Sequence, residues 1–181
     1  MRRAELEHVI RAAAAVAEDE EIVVIGSQAI LGQFPDAPDS LLVSREADVY
    51  PRNHPERSDE IDGSLGDGSY FDSTYGYYAH AVGPETATAP AGWEERLVEI
   101  RNPNTGGATG WCLEVHDLLL SKCVAGRGRD WEFVEGALRH GLADPEELSR
   151  RVKNLPLRAA QLAIVGRAVE GLTARAAAAK P

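Results

Sequence analysis

The chain of 181 residues is long enough to bury a core, and its 44% hydrophobic content with three tryptophans excludes a largely disordered protein. No apolar run approaches the roughly 20 residues that a membrane span needs, so no membrane partner is expected. The net charge of −10 is uneven, because residues 1–90 contain 6 Lys/Arg and 17 Asp/Glu, whereas residues 91–181 contain 13 and 12. Broad nonspecific DNA binding is therefore not expected, since it needs an extended basic surface.

The first segment, "MRRAELEHVIRAAAAVAEDEE", begins with basic residues and contains an alanine run, as a secretory signal would. Glu5 and Glu7 interrupt the apolar stretch, and the apolar residues recur at helical spacing. The segment therefore predicts an amphipathic first helix, and we expect a cytoplasmic protein. Cys112 and Cys123 form no CxxC motif, so neither a zinc site nor a disulfide is indicated.

Strand and turn signals follow this helix. Residues 22–25 form a β-branched run that ends at Gly26-Ser27, and a helix is predicted to begin there. The segment "LLVSREADVYP", residues 41–51, predicts the next strand, which its terminal proline ends. Residues 52–90 are rich in Asp, Gly, Ser and Pro, and only a loop with a short helix and a strand is predicted there.

The second half predicts a β-hairpin followed by helices. The segments "WEERLVEIRN" and "ATGWCLEV" predict paired strands around the turn "NPNTGG". Helices are predicted to end at Gly126, to run from a cap at Asp130 to Gly141, to follow a cap at Asp144, and to begin at Pro156. Because strands precede helices, the sequence predicts an α+β fold with a small sheet and a C-terminal helical part.

Gly26 and Ser27 occupy the first predicted strand-to-helix turn. Free backbone N–H groups and the helix dipole favour a phosphate at such a turn, and glycine permits its close approach. Many turns of this kind use Gly-Ser for structural reasons alone, so the motif by itself does not define a site.

Glu46 and Asp48 are separated by one residue inside a predicted strand, so their side chains emerge on the same face. Two carboxylates so close repel each other unless a cation or solvent screens them. Paired carboxylate oxygens suit Mg²⁺, which also takes phosphate oxygens of a substrate. A solvated strand face is the alternative for an isolated acid-x-acid pair.

Lys122 projects from an apolar helix whose neighbouring turns carry Leu118, Leu119 and Ala125. A lysine in such surroundings either extends its amine to solvent or finds an anion, and a triphosphate is a suitable anion. The segment "AGRGRD" follows, with Arg127, Arg129 and Asp130. The arginines are candidates to hold phosphates, and Asp130 either caps the next helix or takes part in chemistry.

These motifs, in this order, resemble those of the nucleotidyltransferase superfamily, in the bacterial branch that includes the AbiEii-type toxins of toxin–antitoxin systems. The segments that carry the resemblance are "IVVIGSQAIL", "SREADVYP" and "LEVHDLLLSKCVAGRGRDWEFVEGAL", within roughly residues 20–140. The superfamily pattern is Gly followed by Gly or Ser, then acid-hydrophobic-acid on the next strand. The branch adds a lysine helix that ends in Ala-x-Arg-x-(Lys/Arg)-Asp. Here the first acid is Glu46, where relatives usually have Asp.

The resemblance implies an α+β fold with a mixed sheet and a Mg²⁺- or Mn²⁺-dependent transfer of a nucleoside monophosphate from an NTP to a hydroxyl acceptor. It implies a nucleotidyltransferase core over residues 1–111 and a helical part over residues 112–181, within one globular unit. In toxin relatives the acceptor is often tRNA. The other open reading is a catalytically degenerate, nucleotide-binding or regulatory member of a toxin–antitoxin-type system.

The resemblance also implies roles for the site residues. Gly26 and Ser27 would hold the NTP phosphates, and Glu46 with Asp48 would bind the metal. A third metal carboxylate is expected on a later strand, where Glu99 is the candidate. The remaining candidates come from the helical half: Lys122 with Arg127 and Arg129 would neutralise the triphosphate, and Asp130 would orient the lysine or act as a base.

Aromatic and histidine side chains leave a further choice open. Five aromatic residues, Tyr70, Phe71, Tyr75, Tyr77 and Tyr78, either stack on a nucleobase or fill the core, and core filling is the commoner outcome. His80 and His116 are predicted to be structural, since most histidines in such positions are not catalytic.

Overall fold

The computed structural model of the protein describes residues 1–179, and the chain divides into two compact units. The first unit contains residues 1–87 and 97–114, and the second contains residues 88–96 and the chain from residue 115 onward. Residues 88–96 fall in the same unit as the C-terminal helices, whereas the sequence prediction divided the chain between residues 111 and 112. Residues 180 and 181 of the predicted helical part lie outside the described residues.

The first unit carries the strands. Its helices are α1 (Arg3–Ala17), α2 (Ser58–Leu65) and α3 (Tyr70–Tyr75), and its strands are β1 (Glu21–Val24), β2 (Glu46–Pro51), β3 (Tyr78–Ala81), β4 (Val98–Ile100) and β5 (Thr109–Cys112). Across the described chain, five strands form one sheet in the order β3-β2-β1-β5-β4. β1 pairs antiparallel with β2 and parallel with β5, β2 pairs parallel with β3, and β4 pairs antiparallel with β5. The mixed sheet and the flanking helices confirm the predicted α+β class.

The central strand β1 is buried because its β-branched residues are covered on both faces of the sheet. The amphipathic α1 packs on one face, where the side chain of Ile10 lies over Gly110 of β5. A Cβ atom on Gly110 would lie 2.4 Å from Ile10 Cδ1, so only glycine permits this close approach of helix and sheet. This packing leaves Glu46 and Asp48 on the opposite face, because Gly110 and Ile22 are paired and side chains alternate along each strand.

Several boundaries differ from the sequence prediction. The helix after Gly26 is a short 3₁₀ helix, Ser27–Gly32, and β2 begins at Glu46 rather than at residue 41. The predicted hairpin is present, since Val98 pairs with Cys112, although both strands are shorter than predicted.

The second unit contains the helices α4 (Val115–Ala125), α5 (Gly128–Arg139), α6 (Pro145–Val152) and α7 (Ala159–Ala178). The α4 helix ends at Ala125, directly before the glycine predicted to stop it, and Gly126 has φ of +65°. Asp144 caps α6 as predicted, accepting a hydrogen bond of 2.9 Å from the Glu146 N–H. The α5 helix begins two residues before Asp130, and α7 begins at residue 159 rather than at Pro156.

A buried carboxylate ties the second unit together. Asp117 of α4 is fully buried, and Arg96 donates to both of its oxygens at 2.7 and 3.2 Å. Arg151 of α6 donates to the same carboxylate at 2.9 Å. The two guanidinium groups thereby balance a charge that burial alone would strongly disfavour, and they fasten residues 88–96 to the helices.

No helix within the described part of the chain is long and apolar enough to cross a membrane.

Candidate active site on the sheet

The two strand acids and two residues of β3 form a cluster on one face of the sheet. The parallel register places Glu46 opposite Tyr78 and Asp48 opposite His80. Side chains of paired residues point to the same face, so all four side chains share the face that carries the acid pair. The structure therefore brings Glu46 and Asp48 together as the sequence predicted.

Asp48 connects β3 to the Gly-Ser turn. Its Oδ1 atom lies 3.0 Å from Nδ1 of His80, and the imidazole must donate because an ionised carboxylate only accepts. On the other side, a Cβ atom built on Gly26 would lie 1.8 Å from Asp48 Oδ2. The carboxylate thus occupies the space beside Gly26 that any larger residue would need.

The backbone holds this arrangement in place. The Ile25 N–H donates a hydrogen bond of 3.0 Å to the carbonyl oxygen of Asp48, which joins the end of β1 to β2. Gly26 has φ of −79°, so its backbone conformation does not require glycine, and the requirement is for space alone. Ser27, the first residue of the 3₁₀ helix, is half-buried next to this contact.

Glu46 is held by a tyrosine. The Tyr78 hydroxyl donates to Glu46 Oε2 at 3.0 Å, and the Arg45 guanidinium lies 5.8 Å from the centre of the Tyr78 ring. Burial, with Glu46 beside it, raises the pKa of Tyr78 to about 12. The hydroxyl therefore stays protonated and remains a donor to the carboxylate at neutral pH.

The cluster is open to solvent. The side chains of Asp48 and His80 are 25% and 52% exposed, so a ligand can reach them. Among the described residues, no group of three His, Cys, Asp or Glu side chains is arranged to hold a metal ion. A pair of carboxylates fits Mg²⁺ or Mn²⁺ only when substrate phosphates and water complete the coordination shell.

Glu99 does not join the two acids. It lies on β4, and β1 and β5 stand between that strand and β2. Three strand spacings separate β4 from β2, or about 14 Å at the usual distance between strands, whereas the ligand oxygens of one Mg²⁺ lie within about 4 Å of each other. The sequence placed Glu99 on a strand correctly, but sheet order depends on pairing that the sequence does not reveal. Glu99 is therefore not proposed as a ligand of the same ion.

The candidates from the helical half form their own cluster in the second unit. Lys122 Nζ lies 3.3 Å from Asp130 Oδ1 and 4.8 Å from the centre of the Phe133 ring. Asp130 Oδ2 also accepts a hydrogen bond of 3.2 Å from the Arg127 N–H. Asp130 is the third residue of α5, and its carboxylate both caps the start of the helix and pairs with Lys122. Arg127 and Arg129 are exposed.

The aromatic residues divide between two environments. Phe71, Tyr75 and Tyr77 surround His8, and the Tyr77 hydroxyl lies 2.8 Å from His8 Nδ1. Of these three residues, Phe71 is buried, Tyr77 is half-buried and Tyr75 is 51% exposed, whereas Tyr70 is 87% exposed. The Nε2 atom of His116, a residue predicted to be structural, accepts a hydrogen bond from the Asp144 N–H at the start of α6.

Sequence reasoning missed His80 and Tyr78 as site residues. The signal that could have indicated them is the spacing Tyr-x-His in "YYAHA", which matches the spacing of Glu46-x-Asp48. The matched spacing places the two pairs of side chains opposite each other only if β2 and β3 are adjacent and parallel.

A mixed sheet in which a Gly-Ser turn meets an acid-x-acid strand is the arrangement that the motifs predict for a nucleotidyltransferase. The chain belongs to the family described as "nucleotidyltransferase of unknown function (DUF6036)", which matches residues 4–160. Neither a curated protein nor a solved structure matches the chain. This family description supports the assignment to the nucleotidyltransferase superfamily that the sequence motifs indicated.

Proposed function

We propose that the protein is a metal-dependent nucleotidyltransferase that moves a nucleoside monophosphate from an NTP to a hydroxyl acceptor. One observation carries this proposal: the Asp48 carboxylate fills the space beside Gly26, so the Gly-Ser turn and the acid pair form one site. The family description supports nucleotidyl transfer in general.

In this proposal Glu46 and Asp48 would hold Mg²⁺ or Mn²⁺. When bound, the ion neutralises phosphate charge and makes an acceptor hydroxyl a better nucleophile. Gly26 and Ser27 would contact the phosphates through backbone N–H groups, without a large dipole contribution because the 3₁₀ helix has only six residues. The acceptor hydroxyl would release its proton to water, its oxygen would bond to the α-phosphorus, the bond from the α-phosphorus to the β-phosphate oxygen would break, and pyrophosphate would leave.

The roles of the helical cluster stay predictions. Lys122 and Arg127, with Arg129, would neutralise the triphosphate. The ion pair between Lys122 and Asp130 supports a positioning role for Asp130 more than a role as general base, because its carboxylate already accepts from the lysine and from the Arg127 N–H.

The acceptor and the cellular partners are also part of the proposal. The resemblance to the AbiEii-type branch suggests tRNA as acceptor and a cognate toxin or antitoxin protein as partner, in the cytoplasm. These suggestions rest on the sequence motifs, since the family description names no substrate.

The test is transfer of label from α-³²P-NTPs, each with Mg²⁺ or Mn²⁺, to total tRNA, to the protein itself and to small hydroxyl compounds. Asp48→Asn should lower transfer at least about a hundredfold, because it removes one of two charged metal ligands while keeping the shape of the side chain. Equal transfer by wild type and Asp48→Asn would contradict the metal assignment.

A second candidate is a degenerate member that binds nucleotide without chemistry. The observation that favours it is the position of Glu99 three strands away from β2, which leaves two carboxylates in the cluster where many active members have three. Calorimetry with NTP and Mg²⁺ separates the two candidates, since binding without transfer to any acceptor would support the degenerate protein.

A further inference from the structure

Each acid of the cluster has its own hydrogen-bond donor on the neighbouring strand. Tyr78 donates to Glu46 at 3.0 Å, and His80 donates to Asp48 at 3.0 Å. Side chains alternate between the two faces along each strand, so the fully buried Ala79 and its partner Ala47 both point to the other face of the sheet. A Glu-x-Asp segment is thus matched by a Tyr-x-His segment along two parallel strands.

These contacts act on the freedom of the carboxylates. Two like charges on one strand face repel each other, and each carboxylate could rotate away from its neighbour. A donor fixed to one oxygen of each carboxylate restricts that rotation.

The two donors are themselves held. Tyr78 lies under the Arg45 guanidinium, which also pairs with Asp72 at 3.2 Å. The backbone of His80 is fixed by the parallel pairing of β2 and β3. A rigid strand is a more precise support for a ligand than a loop.

We propose that Tyr78 and His80 are positioning residues that aim the carboxylates of Glu46 and Asp48 at a divalent cation. This inference rests on the proposed function, because it assigns the donors to the metal site named there. His80 has the larger effect, because its contact directs one oxygen of Asp48 to β3 while the other lies beside Gly26. Side chains that orient metal ligands typically change metal affinity about 10- to 100-fold when they are removed.

The experiment titrates the full-length protein with Mn²⁺ alone and follows the loss of the free-ion signal by electron paramagnetic resonance. His80→Ala should weaken Mn²⁺ binding about tenfold, and Tyr78→Phe should weaken it by a smaller factor, since each removes one donor. His80→Asn should restore most of the affinity, because its amide places a donor near the position of the imidazole Nδ1.

Two matched controls separate positioning from general effects. His54→Ala removes a histidine of equal side-chain exposure, 52%, whose Nδ1 lies 3.2 Å from Glu56 and outside the cluster. Tyr77→Phe removes the hydroxyl group of the residue next to Tyr78. The Tyr77 hydroxyl contacts His8 and not the acid pair. Both variants should bind Mn²⁺ as the wild type does.

The outcomes distinguish this inference from the proposed function. Wild-type affinity in both His80→Ala and Tyr78→Phe, with binding lost in Asp48→Asn, would overturn the positioning roles and leave the metal site intact. Failure of the wild type to bind Mn²⁺ would overturn the metal site and this inference together. Thermal unfolding of each variant checks that it is folded. Restored Mn²⁺ affinity in His80→Asn would show that the weaker binding of His80→Ala comes from the missing hydrogen-bond donor and not from a change of structure.

Discussion

The carboxylate of Asp48 and the α-carbon of Gly26 approach each other so closely that a methyl group on Gly26 would lie 1.8 Å from Asp48 Oδ2 and 2.7 Å from Asp48 Cγ. The same methyl group would lie 2.9 Å from Asp48 Cβ, and no side-chain rotation relieves that contact. The glycine of the turn and the second acid of the strand therefore depend on each other, and the pair can be tested from the glycine side.

Gly26→Ala should displace Asp48 and lower Mn²⁺ affinity at least about tenfold, with a loss of about 1–3 kcal/mol in the free energy of unfolding from overpacking. Gly63→Ala is the matched control, because nothing lies within 4 Å of a Cβ at that position in α2. The control should gain about 0.5–1 kcal/mol, since alanine favours a helix interior. Calorimetry and urea unfolding measure the two effects, and unchanged metal affinity in Gly26→Ala would contradict the site.

Glu46→Gln and Glu99→Gln make the same change of charge at two positions on one sheet face. Glu46→Gln should weaken Mn²⁺ binding at least about tenfold, because it removes the charge of a proposed metal ligand. Glu99→Gln should stay within about twofold of wild type, because solvent screens an exposed charge three strands away. Equal losses in the two variants would show that the ion responds to overall charge rather than to a defined pair of ligands.

The sequence was sufficient for the acid pair and the turn because both depend on local signals. Alternation along residues 46–51 and the glycine after a β-branched run place Gly26 and Asp48 without knowledge of the fold. His80 could not be recognised in this way, because its proposed role arises from the parallel pairing of β2 with β3, which are separated in the chain by α2 and α3. The α2 sequence, "SDEIDGSL", gives only a weak helical pattern, because polar residues dominate and only Ile61 and Leu65 are buried.

The start of α5 shows a second limit of sequence reasoning. An aspartate before a helical pattern predicts a cap, and Asp130 was placed there. In the structure the helix begins at Gly128, and the low helix propensity of glycine does not indicate a helix there. Asp130 therefore lies within the first turn rather than before it. Its contact with Lys122 needs the packing of α4 on α5, which no local pattern encodes.

The ion pair between Lys122 and Asp130 gives a kinetic prediction. If Asp130 only holds the lysine, Asp130→Asn should raise KM for NTP several-fold while kcat changes little, because the amide still accepts from the Arg127 N–H. Lys122→Met should raise KM further, since it removes the cation itself. A loss of kcat at unchanged KM in Asp130→Asn would instead assign the aspartate as the general base.

Asp19 predicts a dependence of stability on pH. Burial would raise the pKa of this carboxylate, but hydrogen bonds from the Glu21 N–H, the backbone and side-chain amides of Asn53 and the His54 N–H outweigh burial, and the pKa is lowered overall. A group with a lowered folded-state pKa stabilises the protein above its unfolded pKa, about 3.9, and loses that contribution as pH falls through the folded value.

Asp19→Asn should therefore lower the free energy of unfolding by about 2–3 kcal/mol at pH 7, and the difference from wild type should shrink as pH falls below about 4. Urea unfolding at a series of pH values measures this difference directly. Asp36→Asn is the control, because Asp36 is exposed and its replacement should change stability by less than about 0.5 kcal/mol at every pH. A difference for Asp19→Asn that stays constant from pH 7 to pH 3 would show that shape rather than charge holds the end of β2 against β1.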